Sequence, residues 1–482
     1  MMTNFPEVKN QLFINGEWVD GSADAVAVYN PSTGEKIADI AQGGTKETAE
    51  AIAYAAGAFA AWAATDPKER ARILHKIGFL IEENLDRLAL IMTLEQGKPL
   101  SQSKVEVQSS ADSFHWNADE ARRLYGRAIP APSEHHFLTV YQPLGVVGAI
   151  TPWNFPSNMI ARKIAPALAA GCTVVLKPAS ATPFSALALA ELFVEAGLPN
   201  GVANIIMGKS SAIGKELTTN ETVKKITFTG STEVGQLLNE QSAHSLKKVS
   251  MELGGHAPFI VFDDADLDQA VTNLVTAKFR NNGQVCTCPN RIYVQKSVKK
   301  AFTDKLLQAM QEVEVGLGIE DKTVGPLINE EAREHVEAQL KDATSKGATI
   351  LHGGKRPTDD KFANGPFFEP TVIDGITKDM DIYYVETFGP VIPLIEFDTD
   401  DEVAEAANDT EFGLASYFFS KNIARISRFS TALEYGMVGV NSMAISQVET
   451  PFGGVKHSGF GRENGTEGIH EYVYAKSVCI HD

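Results

Sequence analysis

Residues 144–180 read LGVVGAITPWNFPSNMIARKIAPALAAGCTVVLKPAS. The apolar run Val146 to Thr151 stops at a Pro-rich turn, Ser157 to Ala170 repeats its apolar residues at helical spacing, and Thr173 to Lys177 is again a β-branched run. Strand, helix, strand is the unit of a parallel sheet, because parallel neighbours need a long crossover and a helix supplies it.

The alternation continues on the carboxyl-terminal side. Pro183 to Ala196, Ala212 to Thr219 and Thr232 to Ser242 read as helices, with strands over Ala203 to Met207, Lys225 to Thr229 and Lys248 to Leu253. Ligands of such sheets sit at the carboxyl ends of the strands. A second alternating block starts at Ile260-Val261-Phe262, with helices over Asp263 to Phe279, Val298 to Val313 and Glu330 to Lys346. Its strands are expected at Ile292 to Val294, around Ala348 to Leu351, and at Val391 to Ile395. Towards the amino terminus, Asn15-Gly16 between Leu12 to Ile14 and Glu17 to Val19 is a hairpin signal. Three helices follow, over Thr45 to Ala63, Asp66 to about Asn84 and Asn84 to Gln96, the last stopped by Gly97 and Pro99. Leu124 to Gln142 and the tail Glu471 to Ile480 fit neither block. As exposed strands they are expected to pair with each other and across a subunit interface.

At 482 residues the chain is too long for one core, so two or more domains are expected. Its 44% hydrophobic and 22% charged residues are ordinary globular values. A net charge of −18 disfavours nucleic acid and anionic membranes, which both need cationic surface. Four cysteines make no disulfide framework, which points to a reducing compartment. Met1 to Asn10 shows no secretory pattern, and the apolar-rich run Ile164 to Leu176 is broken by Pro166 and Gly171, too short to span a bilayer. A soluble cytoplasmic protein is expected.

Two stretches carry chemistry. Asn282-Gly283-Gln284-Val285-Cys286-Thr287-Cys288 puts a thiol in a Gly-bracketed turn, and Met251-Glu252-Leu253-Gly254-Gly255 puts a carboxylate at a Gly-rich strand exit. A thiol that attacks a carbonyl and a carboxylate that later activates water make a pair for covalent acyl catalysis. Thiolate is the attacking form, and only a minor fraction of a cysteine is thiolate at neutral pH unless nearby dipoles or cations depress its pKa. A buried carboxyl at Glu252 is expected to titrate high. Asn154, in Thr151-Pro152-Trp153-Asn154-Phe155-Pro156, offers an amide to an oxyanion, or it caps a turn. Lys177-Pro178-Ala179-Ser180 places an ammonium at the same edge. Phe228 to Gly235 is a strand, a glycine turn and a helix start that exposes N–H groups to a pyrophosphate, without the usual G-x-G-x-x-G spacing. No His/Cys cluster has metal spacing, and no metal is expected.

With Glu386-Thr387-Phe388-Gly389-Pro390 and Pro451-Phe452-Gly453-Gly454 following in order, these stretches resemble the aldehyde dehydrogenase superfamily over essentially the whole chain. Phe279 to Cys288 and Met159 to Lys163 look most like its succinate-semialdehyde dehydrogenases. The resemblance implies an α/β fold with two parallel-sheet domains and a small β oligomerisation arm. Residues 1–123 and 143–253 would bind cofactor, 254–462 would form the catalytic domain, and 124–142 with 463–482 the arm of a homo-dimer or homo-tetramer.

It implies further that Cys286 attacks the aldehyde, that Asn154 and the Cys286 N–H hold the oxyanion, and that Glu252 activates water. Lys177 and Glu386 would hold the two riboses of a nicotinamide dinucleotide, Trp153, Gly230 and Ser231 would contact it, and Phe388 would lie beside the nicotinamide ribose. Ser180 stands where NAD-preferring members commonly carry a glutamate, so NADP is expected to be preferred and NAD possible. Arg162, Arg280 and Ser446 resemble the residues that bind a distal carboxylate, since a guanidinium offers paired donors in one plane. Cys288 is either a partner for a reversible disulfide with Cys286 or a packing residue, and Cys172 and Cys479 read as structural. Val385 departs from a frequently acidic position, and Glu449 makes the substrate loop more acidic than an anionic substrate favours. The expected activity is oxidation of succinate semialdehyde. Glutarate semialdehyde is one alternative, and a cysteine-dependent hydrolase or acyl-transfer enzyme is another.

Overall fold

A computed structural model describes residues 5–131 and 134–481. The first four residues of the amino-terminal reading, residues 132 and 133 of the expected arm, and residue 482 lie outside the described residues.

The first sheet runs, edge to edge, Gly459–Phe460, Lys248–Glu252, Val223–Thr229, Val146–Ile150, Thr173–Lys177, Ala203–Ile205, Leu12–Ile14 and Glu17–Val19. Its five middle strands are parallel, as the alternation predicts. Val147, Ala149, Val175 and Ile226 are fully buried, because helices cover both faces. Val146–Ile150 pairs with Thr173–Lys177 on one side and with the later strand Val223–Thr229 on the other. Strand order therefore reverses beside Val146–Ile150, which opens a crevice between the carboxyl ends of two diverging strands. Gly459 pairs with Glu252, so this sheet takes an edge strand from sequence expected in the second domain.

The second sheet runs Thr349–His352, Thr371–Asp374, Val391–Phe397, Pro289–Gln295, Ala257–Val261, Ala415–Phe419 and Met437–Val440, parallel apart from its first pair. A small third sheet joins Val473–His481, His135–Pro143 and Arg127–Ile129. The tail and the Phe137 segment do pair with each other, from Val473 opposite Pro143 to His481 opposite His135.

Three local expectations need correction. Leu100–Ala121 is a long helix that periodicity missed, since its residues include many Ser, Gln, Asn and Asp. Gly97, at φ 93°, closes the preceding helix, and Pro99 is the N-cap of the next, so one Gly/Pro signal marks both an end and a start. The helix expected from Asp263 begins at Leu267, where the Asp266 side chain accepts a hydrogen bond from the Gln269 N–H at 3.1 Å. Cys479 is exposed on the outer strand of the small sheet and packs in no core.

Candidate active site

The first sheet brings its residues to one edge by ending its strands there. Thr151 to Asn154 follow Val146–Ile150, Gly230 and Ser231 follow Val223–Thr229, and the two turns flank the crevice. Ser231 is the N-cap of the helix Thr232–Ala243, its hydroxyl accepting from the Val234 N–H at 3.4 Å. The first-turn amides that Ser231 does not take lie at the positive end of the helix dipole. Lys177 ends its strand with its side chain buried, and desolvation pushes its pKa down to about 8. Ser180 is exposed in the turn that follows. Glu252 ends Lys248–Glu252.

The second sheet meets this edge with its amino ends, contrary to the general expectation for such sheets. Cys286 lies in the loop entering Pro289–Gln295, and Glu386 and Phe388 lie in the loop entering Val391–Phe397. The loops are tightly coiled. Asn281, Asn282 and Gly283 take φ of 47°, 56° and 76°, left-handed conformations that asparagine and glycine tolerate best. A Cβ on Gly283 would stand 2.1 Å from the Gly389 carbonyl oxygen, and one on Gly255 would stand 2.2 Å from that of Cys286. The Asn-Asn-Gly and Gly-Gly motifs thus bring three backbones into contact around the cysteine. Phe388 is also left-handed at φ 48°, a strain of about 1–3 kcal/mol for a bulky residue, and its ring meets Trp153 edge-on at 5.6 Å.

Where the two edges face each other they form a cleft of about 250 Å³. Trp153, Asn154, Gly230, Ser231, Cys286, Glu386 and Phe388 all line it. Burial pushes the Cys286 thiol up to about 12, with the Glu386 and Glu252 charges adding to the rise and Arg162 opposing it. Burial, then the nearby Glu463 charge, holds the Glu252 carboxyl well above its usual range, and both its oxygens lack hydrogen-bond partners among the described residues. Asn154 is buried, donates one amide hydrogen to the Gln284 carbonyl at 3.0 Å, and has a second one to give.

The residues fit a nicotinamide dinucleotide. Lys177 has a buried ammonium whose shift reflects desolvation alone, a cation beside the crevice with no hydrogen-bond or ion-pair partner among the described residues. Glu386 accepts from the Gly255 N–H at 3.1 Å, and burial pushes its carboxyl up to about 8. A Cβ on Gly254 would crowd that carboxylate at 3.1 Å. An ammonium, a carboxylate that can accept hydroxyls and a free helix start are the donor set that riboses and phosphates need.

Arg162 and Ser446 are brought together: Arg162 Nη2 donates to the Ser446 hydroxyl at 2.7 Å, across from the Phe452 ring at 4.5 Å. Arg162 is buried, and its Nε and Nη1 have no hydrogen-bond partner among the described residues. Arg280 is exposed over the Phe155 ring at 4.9 Å and lines a second cavity with Thr276, Val285, Thr287, Cys288 and Tyr417. Cys288 is buried there, so the two thiols face different cavities, and burial raises its pKa. Glu449 is exposed.

Sequence reading assigned no role to Lys163, which lies in a quoted motif, or to Glu463. They form a buried ion pair, with Lys163 also donating to the Thr229 hydroxyl at 2.7 Å, and their charges act on Glu252. Nor did it flag Lys98 and Glu106, buried behind Asn154 and paired at 2.5 Å. The only signal for either pair is charge within otherwise apolar or small-residue surroundings, which shows no partner until the chain is folded.

The model of the aldehyde dehydrogenase family matches residues 18–478. The chain is 49% identical over 475 residues to a succinate-semialdehyde dehydrogenase [NADP(+)] of Escherichia coli, covering 98% of each. It is 50% identical over 475 residues to a glutarate-semialdehyde dehydrogenase of Pseudomonas putida, again covering 98% of each. A crystal structure of an NADP-dependent enzyme of E. coli superposes with a TM-score of 0.97 at 49% identity, over 98% of both chains.

Proposed function

This chain belongs to the aldehyde dehydrogenase family, and on that premise we propose that it oxidises a short aldehyde bearing a distal carboxylate, succinate semialdehyde foremost, with NADP+ preferred over NAD+. The observation that carries the substrate class is Arg162. A buried guanidinium with two free nitrogens and a hydroxyl already at its third is a receptor for a planar anion. Arg280 adds a second cation whose charge acts on Arg162 and Cys286, and the Arg162 charge is felt at both Cys286 and Glu252, which fits a chain only a few atoms long. Glutarate semialdehyde, one methylene longer, is the nearest alternative, favoured by the equally similar P. putida relative.

In this reading Cys286 loses its thiol proton to solvent water as its sulfur adds to the aldehyde carbon. The carbonyl π pair moves onto oxygen, where the Asn154 amide and the Cys286 N–H receive it. Lys177, Glu386, Trp153, Gly230, Ser231 and Phe388 would hold a nicotinamide dinucleotide, which would supply the hydride acceptor that lets the Cys286 adduct become a thioester. Glu252 takes a proton from water, the hydroxide adds to the thioester carbon, and the C–S bond breaks to return the thiolate and release the acid. Ser180 leaves the Lys177 end of the cleft without a carboxylate, which suits a 2′-phosphate of about −1.5 to −2 charge. A reversible Cys286–Cys288 disulfide belongs to the same reading and requires the turn between them to reorganise. Peroxide inactivation that dithiothreitol does not reverse, or that survives Cys288→Ala unchanged, removes it.

The test is a panel of carboxylated and uncharged aldehydes with NADP+ and NAD+, followed by reduced-nicotinamide absorbance, on the parent and on Arg280→Ala. The expected result is the highest kcat/KM for succinate semialdehyde with NADP+. In Arg280→Ala, KM should rise about tenfold to a hundredfold for it and stay unchanged for an uncharged aldehyde of equal length. Equal losses on both would refute the carboxylate pocket.

A further inference from the structure

Resting on the oxyanion role of Asn154 above, we propose that Lys98, neutralised by Glu106, is a positioning residue that fixes the Asn154 amide in the cleft. Two donors converge on the main-chain carbonyl of Asn154: Lys98 Nζ at 2.6 Å and Asn281 Nδ2 at 2.9 Å. Asn281 is itself held by Gln96, whose Nε2 donates to its Oδ1 at 2.9 Å, and its N–H donates to Gln102 Oε1 at 2.7 Å. The carbonyl of the oxyanion donor is thereby tied to the turn that leads to Cys286.

Glu106 completes the anchor. One carboxylate oxygen pairs with Lys98, and the other accepts from the N–H groups of Ser157 and Asn158 at 2.9 and 3.1 Å. Those amides open the helix Asn158–Ala170, which carries Arg162. A single ion pair between Lys98, two residues ahead of the helix Leu100–Ala121, and Glu106 on that helix thus fixes the oxyanion turn and the start of the helix that bears the carboxylate receptor.

Lys98 and Glu106 are 2% and 1% exposed. Burying two charges sacrifices hydration that their mutual attraction recovers only in part, and apolar residues of similar volume usually serve stability as well. Burial lowers the Lys98 pKa and Glu106 opposes that fall, so the ammonium depends on its partner. What it supplies that apolar packing does not is direction: an ammonium aimed at one carbonyl and a carboxylate aimed at one helix start. Misplacement of a donor by about 1 Å is enough to cost about a hundredfold in rate.

The experiment is a double-mutant cycle in the full-length protein with Lys98→Met, Asn154→Ala and the pair. It is read as kcat and KM on the best aldehyde of the panel, and as hydrolysis of p-nitrophenyl acetate, which uses the thiol and the oxyanion donors with no dinucleotide present. Lys98→Met is expected to lower kcat about tenfold to a hundredfold, with KM for the aldehyde and the dinucleotide Kd changed less than about twofold. Added to Asn154→Ala it should cost less than about twofold more. Equal factors on both backgrounds, or a folded Lys98→Met with parental kcat, would overturn the proposal. Glu106→Gln, which keeps the side chain's shape, gives the same cycle should Lys98→Met not fold. The ester readout separates this claim from the choice of aldehyde and cofactor: a parent inert to every aldehyde but showing the cycle on the ester retires the dehydrogenase reading and keeps the anchor. A parent inert to both removes the oxyanion role of Asn154, and this inference with it.

Discussion

The two large sheets meet at one cleft but present opposite edges to it. The first offers carboxyl ends, where strands run regularly into turns and helix starts, and it contributes Trp153, Asn154, Lys177, Gly230, Ser231 and Glu252. The second offers amino ends, where Cys286, Glu386 and Phe388 sit in loops that bend back on themselves, with Asn281, Asn282, Gly283 and Phe388 all at positive φ. The difference teaches where precision comes from. On the first edge, regular secondary structure aims the groups. On the second, close glycine contacts and strained backbone do so.

Changes on the two edges should therefore fail differently. Cys286→Ala should abolish turnover with every aldehyde while leaving the calorimetric Kd for NADP+ near the parental value, and residual oxidation would place the nucleophile elsewhere. Glu252→Gln should slow steady-state turnover about 10²–10⁴-fold while keeping a burst of reduced nicotinamide in the first turnover. The same change should raise Tm. The folded pKa of Glu252 lies above its unfolded value near 4.3, so the native state is penalised progressively as pH rises through that interval, and Gln escapes the penalty. The gain should be larger at about pH 8 than at about pH 5; a Tm loss that grows with pH would contradict the shift.

Gly255→Ala tests the glycine contacts on the second edge, since its Cβ would reach 2.2 Å from the Cys286 carbonyl oxygen. A loss of about a hundredfold in kcat with cofactor affinity kept is expected, and full activity would mean the Cys286 loop is not held there. The smallest effect belongs to Lys177. Its pKa of about 8 means the ammonium is present below that pH and is lost above it, so the preference for NADP+ over NAD+ should fall several-fold between about pH 7 and pH 9. A flat ratio across that range would take Lys177 out of phosphate recognition.

The same contrast governs what was legible in the sequence. The first edge was readable because strands such as Thr173–Lys177 and the helix Thr232–Ala243 carry their periodicity on the surface of the text, and a ligand edge follows from topology. Cys286 was legible as a thiol in a Gly-bracketed turn, but Glu386 and Phe388 were reachable only through family resemblance, since nothing in periodicity says that amino ends of strands will line a cleft. Leu100–Ala121 was hard to read because Ser103, Glu106, Ser110, Ser113 and Asn117 are buried alongside its apolar stripe of Val107, Ala111, Phe114 and Ala118. The upward shift of the Cys286 thiol was missed for a related reason: burial and carboxylates contributed by distant loops outweigh the single nearby guanidinium of Arg162.

The most direct test traps the intermediate. Glu252→Gln mixed with succinate semialdehyde and NADP+, quenched in acid and digested, should show one added succinyl group on the peptide carrying Cys286, and none when NADP+ is withheld. Acylation at Cys288 or another residue, or an unmodified Cys286 after a full burst of reduced nicotinamide, would contradict the account.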